Sequence, residues 1–143
     1  MTTEPIESQE LPLTAPLDTL SKSDISIDKI RDLVVLFYSR TQQDPLLGPI
    51  FDEIVQDWDA HYEKMTRFWS SAVLRAGTYS GRPIEAHRFG GLTEAHFNHW
   101  VALFSQTSLD VFDEPDAFVF IDLGKRMASS IAMRIGVGHL TFD

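Results

Sequence analysis

The stretch Asp57-Trp58-Asp59-Ala60-His61-Tyr62-Glu63-Lys64-Met65-Thr66-Arg67-Phe68-Trp69-Ser70-Ser71-Ala72 decides how this chain folds. Trp58, His61, Met65, Phe68, Trp69 and Ala72 follow one another at helical steps of three and four, with one adjacent pair. That spacing puts them on one face of an α-helix, where alternation would have put them on a strand. Asp57 stands where an N-cap belongs.

The same periodicity recurs on both sides. Upstream, Ile27, Ile30, Val34, Phe37 and Tyr38 form an apolar stripe behind Ser26, a fitting N-cap, with Asp28 in the first turn where the helix dipole favours an anion. That helix should stop before Asp44-Pro45, because the residue before a proline resists helical geometry, and Gly48 and Pro49 are expected to keep the chain irregular. Downstream, Gly77, Gly81 and Pro83 interrupt the pattern, and residues 83–87 read as one or two turns ended by Gly90 and Gly91. Thr93 can cap a helix bearing Phe97, Trp100, Leu103 and Phe104. Asp113-Glu114-Pro115 opens a last helix with Ala117, Phe120, Ile121, Met127, Ala128, Ile131 and Ile135, closed by Gly136 and Gly138. The expected class is all-α: four long helices and a short fifth around one core.

Composition narrows the function. The 143 residues are 43% hydrophobic, which suits one globular domain, expected over residues 23–138. Residues 1–22, with Pro5, Pro12, Pro16 and several carboxylates, read as a flexible acidic tail without the basic start of a secretory signal; residues 139–143 read as a C-terminal tail. Cysteine is absent, which excludes disulfides, Cys-ligated metals and thiolate-bound or covalently attached haem, and suits the cytoplasm. A net charge of −9 disfavours nucleic acid and anionic membranes, and no apolar run reaches the length of a membrane span.

Three polar-tipped rings point inward from three helices: Tyr38, His61 and Trp100. Each needs a hydrogen-bond partner if buried, and a shared pocket for a polar ligand satisfies all three, as would separate backbone or water partners. Among the five histidines, His87 and His96 compete as candidate iron ligands on periodicity alone; His99 is placed at a solvent edge and His139 beyond the last helix. A zinc or non-haem iron site could use His96 and His99 at i and i+3, with His87 or Glu94, but no H-E-x-x-H supports it. Nucleophile elbows, P-loops and dinucleotide-binding glycine patterns are missing from the sequence.

Several blocks together resemble the group III truncated haemoglobins. These are Phe37-Tyr38, Leu47-Gly48-Pro49-Ile50-Phe51, Trp58-x-x-His61 with Phe68-Trp69, Tyr79-x-Gly81-x-Pro83-x-x-x-His87, and Phe97-x-x-Trp100-x-x-x-Phe104. The similarity spans about residues 25–135. It implies a shortened globin fold, a two-over-two helical sandwich holding haem b without a covalent bond. It selects His87 as the iron ligand, places Tyr38, His61 and Trp100 on the ligand side for ligand stabilisation or gating, with His61 either a donor or a gate, and puts Phe51 against the haem. Phe37, Met65, Phe68 and His96 complete the expected cofactor contacts. On this resemblance the chain binds dioxygen and other diatomic ligands such as nitric oxide and carbon monoxide. The expected chemistry is nitric oxide dioxygenation or peroxide turnover fed by an external reductase; the alternatives are non-catalytic oxygen binding or sensing, or a cofactor-free helical interaction module. The oligomeric state is left open.

Overall fold

The computed structural model describes residues 25–75, 77 and 81–142. The expected tail over residues 1–22 and Tyr79 of the glycine–proline block lie outside the described residues. Among the described residues the helices are α1 (Ile27–Gln42), α2 (Gly48–Ile54), α3 (Trp58–Leu74), α4 (Pro83–Ala86), α5 (Glu94–Val111) and α6 (Glu114–Arg134), with no strand between them.

The capping chemistry read from the sequence is in place. The Ser26 hydroxyl accepts the Lys29 N–H at 3.1 Å, and the Asp57 carboxylate accepts the Ala60 N–H at 3.1 Å. Helix α2 corrects the expectation of irregular chain at Gly48 and Pro49. Pro49 sits in the first turn, where its missing N–H has no intrahelical duty. Asp44 opens that segment: its carboxylate accepts the N–H groups of Leu46 and Leu47 at 3.2 and 2.8 Å, and its carbonyl accepts that of Gly48 at 2.8 Å. Gly48 is there for proximity, since a Cβ would lie 3.0 Å from the Gln42 carbonyl oxygen at the end of α1. At the end of α3, Arg75 takes the left-handed position with φ 58°, ahead of Gly77.

Helix α1 packs on α3, α5 packs on α6, and α1 crosses α5, so one helix pair lies over the other. Phe37, Phe104 and Phe120 are fully buried at the junction, with Ile30, Leu33 and Val34 beside them. Ile27 departs from the expected stripe: as the first residue of α1 it has no preceding turn to pack beside and is 54% exposed. Leu33, absent from that stripe, is fully buried. Ala72 also faces solvent, because the buried face of α3 runs through Thr66, Trp69, Ser70 and Val73 instead. Of the residues set apart as a C-terminal tail, Leu140 is buried while His139 and Thr141 are exposed. Gly136 turns the chain with φ 88°, and Leu140 packs on Phe97, Val101, Ala128 and Ile131. Among the described residues no helix is long and apolar enough to cross a membrane.

Candidate functional site

A cavity of about 190 Å3 opens between the two helix pairs, with walls contributed by all six helices. Tyr38 reaches it from α1, Phe51 from α2, His61, Met65, Phe68 and Trp69 from α3, Trp100 from α5, and Met127, Ala128 and Ile131 from α6. Ile54 and Phe89, both more than 40% exposed, stand at its mouth. The three inward polar rings of the sequence reading therefore meet at one cavity. Phe37 is the exception among the expected contacts. It lies behind the wall, edge-on to Tyr38 at 5.0 Å and to Trp100 at 5.4 Å, and does not face the cavity.

The Tyr38–His61 pair forms the polar end. Their rings meet edge-to-face at 4.7 Å, with Phe51 and Trp58 packed around them. Burial pushes the Tyr38 phenol far above its ordinary range, so it remains a neutral donor. No described residue accepts a hydrogen bond from its hydroxyl. Burial, aided by the nearby Lys64 ammonium, pushes the His61 imidazole down to about 4, which keeps it neutral at physiological pH. Its Nε2 is buried without a hydrogen-bond partner, an atom that costs free energy unless something in the cavity meets it.

The two candidate iron ligands differ in which ring nitrogen is engaged. His87 follows α4 as its C-cap, and its Nδ1 lies 2.5 Å from the Pro83 carbonyl oxygen. A carbonyl can only accept, so Nδ1 carries the proton and the lone pair of the neutral ring sits on Nε2. His96 has the reverse arrangement. Its Nδ1 accepts the Thr93 backbone N–H at 3.0 Å, closing a capping box at the start of α5. Its lone pair is thereby used, and the neutral ring carries its proton on Nε2. Both rings line the cavity, but His87 offers an acceptor and His96 a donor.

His99 is bound rather than free: its Nε2 lies 2.7 Å from an Asp44 oxygen and ties α5 to the segment that opens α2. Burial alone would raise the Asp44 carboxyl; the hydrogen bond from His99 and the N–H of Leu47 outweigh it and hold the group below its ordinary range. His96 and His99 thus turn to different partners, and among the described residues no cluster of three or more His, Asp or Glu is set to hold a metal ion. His139 is exposed.

These features fit a haem. The walls are mainly apolar and come from both layers, one imidazole presents a free lone pair, and the lining also includes a neutral phenol and an orphaned imidazole nitrogen. Lys64 also lines the cavity and offers a cation to the carboxylates a haem bears. Sequence reasoning passed over Lys64, although it stands three residues after His61 on the same helical face, because an isolated lysine reads as solvated. Trp69, on the apolar face of α3, is both 3% exposed and part of the cavity wall.

Comparison with known proteins agrees with the architecture. The chain is 28% identical over 110 residues to the group 3 truncated hemoglobin ctb of Campylobacter jejuni, covering 73% of this chain and 87% of that protein. The crystal structure of a group III truncated hemoglobin from Campylobacter jejuni superposes with a TM-score of 0.75 at 26% identity, covering 81% of this chain and 95% of that one. No family model matches. The resemblance drawn from the motif blocks is borne out in sequence and in fold, and the all-helical architecture is that of a truncated globin.

Proposed function

We propose that this chain, similar in sequence and fold to group III truncated haemoglobins, holds haem b between its helix pairs with His87 as the iron ligand, and binds dioxygen and other diatomic ligands beside Tyr38, His61 and Trp100. The observation that carries this reading is the opposed hydrogen bonding of His87 and His96 at Nδ1: of these two imidazoles, only His87 keeps a free lone pair. The names of the relatives support the cofactor.

A bound haem supplies reversible coordination of diatomic gases and one-electron chemistry at its iron. The chain's own residues do the rest. The Pro83 carbonyl, accepting from His87 Nδ1, orients the ring and strengthens it as a ligand. Phe51, Met65 and Phe68 give the cavity apolar walls, beside which a polar contact acts in a lower dielectric than in water. Tyr38 and Trp100 line the cavity, and a hydroxyl and an indole N–H are donors that suit a ligand that takes on negative charge, dioxygen more than carbon monoxide. His61, neutral and with Nε2 unmet, serves as a further polar contact. The reading includes redox chemistry, nitric oxide dioxygenation or peroxide turnover, with electrons from an external reductase.

The test is an absorption spectrum of the purified chain after haem addition. A Soret band with a shifted ferrous carbon monoxide form is expected, and its absence would leave a cofactor-free helical module. Steady nitric oxide consumption with a reductase is expected next; binding without turnover would reduce the function to oxygen binding or sensing.

A further inference from the structure

We propose that Gly124, which does not itself line the cavity, is the positioning residue for the tryptophan that does. Gly124 lies in the interior of α6, where alanine would favour the helix, so its presence calls for a packing reason. That reason is a stack of three rings. Phe104 is stacked at 4.9 Å with Trp69 and at 4.9 Å with Trp100, with interplanar angles of 18° and 11°. Both tryptophans are cavity walls, and the middle ring rests on Gly124. A Cβ there would stand 3.1 and 3.2 Å from two Phe104 ring carbons and 3.5 Å from Trp100 Cζ3.

Such a methyl requires Phe104 to give by a few tenths of an ångström. Besides the two tryptophans, Phe104 meets the perpendicular Phe37 ring at 5.2 Å, and Phe37 is 1% exposed and packed edge-on against Tyr38 and Trp100. A shift of Phe104 is therefore passed to the rings stacked on it, and those rings are cavity walls. Gly124 thus fixes the position of the Trp100 indole, and through it the contact between the indole N–H and a bound gas. This inference rests on the proposed function for its ligand, and on the rings alone for its geometry.

The experiment compares wild type, Gly124→Ala, Trp100→Phe and the double variant, with Ser130→Ala at an exposed α6 position as control. In the haem-loaded protein, Gly124→Ala is expected to speed dioxygen release roughly fivefold, as when one hydrogen bond is misaligned. Carbon monoxide release should change by less than about twofold, since it gains little from hydrogen bonding. With Trp100 already replaced by Phe, the dioxygen effect of Gly124→Ala should vanish. In the haem-free protein, the near-ultraviolet circular dichroism of the tryptophans should change in Gly124→Ala while the helical signal does not. An unchanged near-ultraviolet spectrum, or a dioxygen effect that persists undiminished without Trp100, overturns the proposal. If wild type takes up no haem, the proposed function fails instead, and the haem-free spectra alone decide on Gly124.

Discussion

Tyr38→Phe separates what the cavity does for a ligand from what it does for the fold. The substitution keeps the ring, which packs on Phe37, Phe51 and His61, and deletes only a hydroxyl that no described residue engages. Ligand retention and protein stability should therefore move in opposite directions. A hydrogen bond to a strongly polar group contributes about 1.5–3 kcal/mol. At about 1.4 kcal/mol per factor of ten, its loss speeds dioxygen release roughly 10- to 100-fold. Carbon monoxide, the less polar ligand, should change little. The haem-free protein loses no internal hydrogen bond, and burying a phenyl in place of a phenol leaves its stability unchanged or raises it by up to about 1 kcal/mol. Stopped-flow dissociation of both gases and urea unfolding of the haem-free chain make the measurement. Equal small effects on the two gases would mean the hydroxyl points away from the ligand. A stability loss above about 1 kcal/mol would mean the protein itself holds it, and either outcome refutes the reasoning.

Three further expectations concern the histidines and their surroundings. His87→Ala should lose haem, whereas His96→Ala should retain it and lose only about 1 kcal/mol through the broken capping box at α5; the reverse pattern in a haem-retention assay reverses the ligand assignment. The folded His61 titrates at about 4 against 6.5 when unfolded, so the unfolded chain takes up the proton first. The stability contributed by neutral His61 is complete above pH 6.5 and falls as the pH drops towards 4. Because the ring is partly exposed, the loss between pH 7 and 5 should be only on the order of 1 kcal/mol. Urea midpoints of the haem-free protein should show this slope in wild type and not in His61→Leu, and matching slopes would rule it out. Asp44→Ala removes the acceptor of Leu46, Leu47 and His99 together and should cost about 1–2 kcal/mol, read as a lowered urea midpoint; an unchanged midpoint would show that α2 needs no such anchor.

Most of the fold was legible because its long helices carry their own periodicity and caps. Ser26, Asp57 and Thr93 each stand where a helix begins. The failure at α2 has a physical cause. Gly48 and Pro49 are breakers by local propensity, yet Pro is tolerated in a first turn and Gly48 is required by the close approach to the end of α1, a tertiary contact with no local signature. The meeting of Tyr38, His61 and Trp100 could be inferred because each was a polar tip on an apolar face. The choice between His87 and His96 could not, because it lies in tautomers set by Pro83 and Thr93. The resemblance selected His87, and the hydrogen bonds supply an independent reason. Phe37, expected with the resemblance among the cofactor contacts, lies behind the cavity wall, and no local pattern in the sequence tells the first layer behind a helix face from the second.

The placement of the tryptophans has a practical corollary for anyone handling this protein. The chain has three, and Trp69 and Trp100 are cavity walls while Trp58 packs on Tyr38 and His61 at one end. Every indole fluorophore therefore lies within energy-transfer reach of a pigment seated in that space. Intrinsic emission should darken almost completely as haem is titrated in, giving a dye-free count of filled sites. The same arrangement leaves no distant tryptophan as a reference, so a recovery of emission on heating reports loss of the pigment before it reports loss of the helices, and the two must be followed by separate signals.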